Sequence, residues 1–385
     1  MLPFLIVLLV ITAAFITVFM FDLIPAASTF LGRIHMGRWE DDVDWYTSIY
    51  SVVLKWIART PAVPATDSTR LTIIDRIKGE YKRQSLQSWQ EASLILAVDC
   101  NAEYDIINDF ICGKIDPETG EWLQKPESID SAMLAFAIMK SADTQRINID
   151  PAMEYCYDLI KSFVTEDGTA CYSKALPEVR FVDTVGMICP FLFEYGKRYG
   201  NKEATKLAYR QMGEYLNKGL HPELNIPVHA FNLSKGEPLG IYGWGRGCGW
   251  LAVGIMDSLL TLNKGDKMYD MLVAAAQTLA DAVMDYQTES GAFCRQLIGE
   301  QVMDSSATAM LGWFLYELYE ITGEEAYLEA AENACNALMG ATRRSGKVDL
   351  AQGDTKGIGF YSTAVNVLPA AQGFALRLAR NLKKI

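Results

Sequence analysis

Four stretches of this chain repeat one plan, and that repetition restricts the fold more than any single residue does. They start at Ile129, Phe181, Gly247 and Ser305. Each opens on a polar or small residue, runs through an almost wholly apolar helix, breaks at a short polar turn and continues into an amphipathic helix. A fifth, weaker copy starts at Ser88, and successive copies lie roughly 40 to 65 residues apart, the spacing of helical-pair arrays. The first helix of each pair is apolar on most faces, as in MICPFLF and LGWFLYEL, which implies burial all round. The second, as in AYLEAAENACNAL, keeps apolar residues at i, i+3, i+4 and i+7 with charges opposite, which places it outside. With Asp41 to Arg59 and the C-terminal STAVNVLPAAQGFALRLAR included, about six pairs can be drawn, enough to close a ring of inner helices within a ring of outer ones. The expectation is an all-α toroid. An open solenoid competes, but these inner helices are too apolar to line an exposed concave surface.

Half of the 385 residues are hydrophobic, which supplies a core and excludes disorder. A net charge of -12 without a basic patch excludes nucleic acid as a partner. The 8 cysteines are scattered, several inside apolar helices, and neither a CxxC pair nor more than three histidines is present to build a zinc site. The first 21 residues carry no charge and suffice to cross a hydrocarbon layer. We expect residues 1–28 to be a membrane anchor and 29–385 one helical domain. A cleaved signal peptide is the rival, given the small residues Ala26, Ala27 and Ser28, although a basic leading region is missing. A soluble protein with a buried N-terminal helix is the third option. Arg33 and Arg38 follow the apolar run and nothing basic precedes it, which favours a cytoplasmic domain.

In an up-down array every inner helix runs the same way, so the loops that enter the inner helices share one end of the ring. Trp89, Asp130, Asp183, Arg246, Trp250, Asp304 and Ser305 therefore converge on one mouth. Asp130 and Asp183 each open an inner helix, where N-capping alone accounts for a single Asp. Two facing carboxylates in a poorly solvated mouth would instead keep one protonated near neutrality, as general acid and base work on sugars requires. GIYGWGRGCGW offers glycines for close backbone approach, the ring of Trp244 for a sugar face, and Arg246 as a planar fork for a carboxylate, with Trp250 four residues on. The alternative is a glycine-rich turn in which Arg246 pairs with a neighbouring acid. His229, in the long loop feeding the same mouth, is a hydrogen-bonding or proton-shuttling candidate. Asp304 is expected to cap its helix beside the hydroxyls of Ser305 and Ser306. Cys248 has no histidine near it in sequence and is not read as a nucleophile.

In chain order, IDSAMLAFAIM, FVDTVGMICPFLFEYGKRYGN, HAFN followed by GWGRGCGW, DSSATAMLGWFLYELYEITG and GDTKGIGFY resemble the unsaturated glucuronyl and rhamnogalacturonyl hydrolases of glycoside hydrolase families 88 and 105. The resemblance runs from about Ser88 to the C-terminus and implies an (α/α)6 barrel. It also implies a substrate, an oligosaccharide ending in a 4,5-unsaturated uronic acid, the product of a polysaccharide lyase. By the same resemblance, an acid protonates C4 of the enol ether, charge develops at C5 and the ring oxygen, water adds at C5, and the hemiketal opens to expel the leaving sugar. Asp183 matches the acid and base, Asp130 the second carboxylate that holds the proton and stabilises the cation, and Arg246, Trp250 and His229 the sugar contacts. No metal or organic cofactor is implied. Tyr172 stands where the family frequently has His and Cys248 where it commonly has Asn or Gln, so the resemblance leaves the leaving sugar open. Two other readings compete: a sugar epimerase on the same fold, which would need paired histidines at the mouth, and a catalytically silent carbohydrate-binding barrel tethered to a membrane.

Overall fold

The computed structural model describes residues 2–61, 86–142, 147–299, 301–355 and 357–383, and these form thirteen helices and five short strands. Helix α1 (Leu2–Arg33) has no buried residue, and its last residue, Arg33, is clamped to the barrel by Asp349 at 2.8 Å. Outer helices α2 (Asp42–Ala58), α4 (Tyr104–Cys112), α6 (Asp150–Lys161), α8 (Lys202–Lys218), α10 (Lys267–Met284) and α12 (Glu325–Gly340) surround six inner ones. The inner helices are α3 (Ser88–Ala97), α5 (Ser131–Ala142), α7 (Val182–Tyr199), α9 (Gly245–Leu259), α11 (Ser305–Thr322) and α13 (Pro369–Lys383). Each inner helix packs against the next, and α13 packs back on α3, so the ring is closed and the solenoid is excluded.

The two helix types behave as their composition demands. Every residue of α9 is buried. In α8 burial follows one stripe, Ala204, Ala208, Gln211, Met212 and Tyr215, with charges on the opposite face. Inner and outer helices are joined by tight turns that the sequence spells out. Gly200 ends α7 in the left-handed region at φ 65°, and the Asn201 side chain then accepts the free N–H groups of Glu203 and Ala204 to start α8. The described connections in the other direction are long, and they lie at the N-terminal end of the inner ring.

Two small sheets are built there from the segments that enter the inner helices. Strands β1 (Val179–Phe181), β2 (Val228–Asn232) and β3 (Pro238–Tyr242) form an antiparallel sheet in that order, and β4 (Ala351–Gln352) pairs with β5 (Val365–Asn366). Phe181 pairs with Ala230, and the register of β2 against β3 shifts between Val228 and Ala230. A bulge at His229 turns that side chain out of the regular alternation. Since β1 runs directly into α7, and only Gly243 and Trp244 separate β3 from α9, the sheet sets the positions of both helix starts.

Candidate active site

Asp183 is the second residue of α7, yet it does not serve as its cap: Phe181 occupies that position without a side-chain cap. Its side chain keeps 14 % of its surface exposed, while Oδ2 is shielded from solvent and has no hydrogen-bond partner. Burial pushes the carboxyl up to about 7, opposed by a main-chain hydrogen bond and by the charge of Arg246, and reinforced by Asp354. This modifies the facing-carboxylate expectation. Loss of water, not repulsion from Asp130, is what keeps a proton on Asp183. Asp130 immediately precedes α5 and is itself raised by burial, with hydrogen bonds from Ser128 and from its own and the Ser131 main chain holding it back. The two share an environment: Tyr172, raised by burial, feels both charges and that of Asp354.

His229 Nε2 lies 3.7 Å from Asp183 Oδ2. Burial and the Arg246 charge lower its imidazole to about 4, so the ring is neutral at pH 7 and the two do not form an ion pair. Tyr361 bridges the ring to strand β3. The Ile241 N–H donates to the Tyr361 hydroxyl oxygen at 3.1 Å, and the same hydroxyl lies 2.9 Å from His229 Nδ1. In the tautomer with Nδ1 accepting from Tyr361, Nε2 carries the hydrogen on the side of Asp183.

Arg246 is 2 % exposed, and its partners are main-chain carbonyls. Nη1 donates to Gln352 O at 2.6 Å and Nη2 to Gly353 O at 2.8 Å. The reading in which it pairs with a neighbouring acid is set aside, because it forms no ion pair among the described residues. A buried guanidinium whose charge is not neutralised is costly by itself and becomes favourable when an anion arrives. Its plane also lies 5.5 Å from the Trp244 ring.

The remaining candidates separate into mouth and wall. Trp244 packs on His229 and Tyr361, and its Nε1 donates to Gln352 Oε1 at 2.9 Å. Tyr172 leans on Phe181. Trp250, only 1 % exposed, stands edge-on to Trp89 at 5.4 Å. Both rings are packed into the core behind the mouth and present little face to a sugar. Asp304 caps α11 as expected, its Oδ1 accepting the Ser306 N–H and hydroxyl, while Ser305 Oγ is buried without a partner. Cys248 is fully buried with its thiol pushed up, and none of the eight cysteines is in a disulfide.

Sequence reasoning missed Gln352, Asp354 and Tyr361, all on the 341–368 connection. Gln352 uses every polar group it has: its N–H donates to Asp304 Oδ1, its carbonyl holds Arg246, its Oε1 takes Trp244 and its Nε2 donates to Ser362 O. Asp354 and Tyr361 lie within GDTKGIGFY, one of the stretches that carry the resemblance, and Gln352 stands just before it, but no periodicity singles out these three.

The profile of Glycosyl Hydrolase Family 88 matches residues 104–379. Among solved structures, a possible member of the GH105 family from Salmonella enterica serovar Paratyphi A superposes with a TM-score of 0.72 at 16 % identity, over 90 % of this chain and 96 % of that one. An unsaturated glucuronyl hydrolase specific for heparin gives 0.67 at 14 %, over 89 % and 98 %. The unsaturated glucuronyl hydrolase from Bacillus sp. GL1, responsible for the degradation of glycosaminoglycan, gives 0.64 at 16 %, over 90 % and 97 %. At such identities the likeness is one of fold, the α/α barrel. A search of curated proteins returned no match.

Proposed function

Because the chain belongs to glycosyl hydrolase family 88 and is a glycoside hydrolase, we propose that it removes a terminal 4,5-unsaturated uronic acid from lyase-generated oligosaccharides, by hydration of the C4=C5 double bond. One observation carries this reading: a carboxyl group whose burial pushes it up to about 7, Asp183, sits in the same mouth as a buried guanidinium, Arg246, whose hydrogen-bond partners among the described residues are main-chain carbonyls. The first is suited to giving and taking a proton at pH 7, and the second to receiving the carboxylate of a uronic acid.

In this scheme protonated Asp183 delivers its proton to C4 of the enol ether. Positive charge then develops at C5 and the ring oxygen, and the carboxylate of Asp130 stabilises it. Asp183, now ionised, takes a proton from water as it adds at C5, and the resulting hemiketal opens and expels the leaving sugar. Neutral His229 offers its Nε2–H beside Asp183, Trp244 gives a flat surface next to Arg246, and Tyr172 and Ser305 complete the polar lining. No step calls for a metal or organic cofactor. We also assign α1 as a membrane anchor with the barrel on the cytoplasmic side, on its length, the mean hydropathy of 2.9 over its most apolar 18 residues, and the arginines at and just beyond its end, Arg33 and Arg38.

The test is the loss of ultraviolet absorbance of the conjugated double bond when the purified protein meets a lyase-generated unsaturated disaccharide. Asp183→Asn is expected to abolish that loss with the thermal transition retained. Full activity in that variant would remove Asp183 from the role of acid.

A further inference from the structure

The two carbonyls that hold Arg246 are themselves held from the start of α11. Asp304, the cap of that helix, is fully buried, and its Oδ1 accepts three hydrogens. They come from the Ser306 N–H at 2.9 Å, the Ser306 hydroxyl at 2.6 Å and, 48 residues along the chain, the Gln352 N–H at 3.0 Å. One residue further into α11, the Ser305 N–H donates to Leu350 O at 3.1 Å. At this second tie the backbone is strained, for Leu350 lies in the left-handed region at φ 65°, where a side chain larger than glycine's is crowded. Such a turn persists only where its surroundings fix it, and α11 does so at Leu350 and at Gln352.

A guanidinium meets a carboxylate with two parallel N–H bonds only when the two are coplanar. The successive carbonyls of Gln352 and Gly353, taking Arg246 Nη1 at 2.6 Å and Nη2 at 2.8 Å, set the plane of the fork. Gln352 Oε1 sets the adjoining ring as well, through Trp244 Nε1 at 2.9 Å. Capping α11 requires only the bond from the Ser306 N–H, so the bond to Gln352 serves something beyond that helix. Resting on the reading of Arg246 as the group that receives the uronate, we propose that Asp304 is a positioning residue for substrate: by holding Gln352 at its N–H it fixes the two carbonyls that orient the Arg246 fork. Loss of that one acceptor loosens the fork while Arg246, Asp183 and Asp130 all remain.

Full-length protein is tested by comparing a lyase-generated unsaturated disaccharide with its uronate methyl ester, each followed by loss of the double-bond absorbance. The ester removes the charge that Arg246 receives, and its different intrinsic reactivity is common to all variants and cancels between them. In the parent, kcat/KM is expected to favour the free acid at least about tenfold, chiefly through KM. Asp304→Ser keeps a capping hydroxyl for α11 but is too short to keep the Gln352 N–H, and is expected to cut that preference by about threefold or more, with KM for the free acid rising and kcat for the ester little changed. Asp304→Asn retains an acceptor at the Oδ1 position and is expected to keep the parent's preference. A folding defect alone lowers the active fraction for both substrates equally and leaves their ratio where it was. An unchanged ratio in folded Asp304→Ser, or a lost one in folded Asp304→Asn, overturns the positioning role and leaves the hydration activity standing. Asp304→Thr, also a capping residue, takes the place of Asp304→Ser should that variant not fold. A parent that turns over both substrates equally removes Arg246 as the receiver and this role with it, and a parent that turns over neither removes the proposed reaction as well.

Discussion

Asp183 and His229 are 3.7 Å apart and are shifted in opposite directions by the same loss of water, so their effects on stability oppose each other across pH. The Asp183 carboxyl, raised from 3.8 to about 7, binds its proton more tightly in the folded state. Its contribution is complete below the unfolded value and is lost as pH rises through about 7, on the order of 4 kcal/mol in all. The His229 imidazole, lowered from 6.5 to about 4, works the other way: its contribution is present above the unfolded value and is lost as pH falls toward 4. Between about pH 4 and 6.5 the two slopes therefore nearly cancel, and Asp183→Asn should leave the His229 contribution alone, so that in denaturant unfolding the variant gains stability relative to the parent as pH rises from 4 to 7 and keeps that gain at pH 8. A parent and variant with parallel profiles from pH 5 to 8 would show that Asp183 is ionised throughout. Activity should follow the same group, falling as pH rises above about 7 and the proton that C4 receives is no longer bound.

Among the helices, the closing seam is the place where packing is least forgiving. On α13, a Cβ added at Gly373 would come within 2.4 Å of the Ser93 carbonyl oxygen and 2.9 Å of the Leu94 nitrogen, both main-chain atoms of α3 that cannot turn aside. Gly373→Ala is expected to wedge the first and last inner helices apart and cost about 1–3 kcal/mol. Gly213 in the outer helix α8 has open space at the same position, so Gly213→Ala should gain about 0.5–1 kcal/mol by helix propensity. Denaturation midpoints moving in opposite directions check the pair. The helices were legible because apolar periodicity is written over a dozen or more residues, and MICPFLF already separates an inner helix from the striped α8. The strands were not, because β1 has three residues and its partner β2 begins 47 residues after it ends, so no local pattern marks the pairing. The bulge at His229 is likewise a property of two strands meeting, and a lone loop histidine gives no hint of it.

At the scale of the molecule, the chain is a ring closed by its C-terminal helix α13 against α3, with a helix at its N-terminus fastened to the rim. Deleting Leu2 to Phe21 leaves Arg33 and its clamp on Asp349 in place, so the shortened protein should stay folded, remain in solution and keep its hydration activity, while losing its affinity for vesicles. Sedimentation with liposomes and the absorbance assay check this together, and loss of activity on that deletion would mean that the apolar segment supports the barrel itself. The sequence alone determined the helical pairs, their inner and outer ranks, the end of the ring where Asp130, Asp183 and Arg246 meet, and the apolar run at the start, because burial and helix periodicity are local properties of the residues concerned. Only the tertiary structure decided that Trp250 and Trp89 belong to the wall, that Gln352 and Tyr361 orient Arg246 and His229, and that burial raises Asp183. Those facts depend on which atoms from distant segments exclude water from a side chain or hydrogen-bond to it, and nothing in the order of residues along the chain encodes that directly.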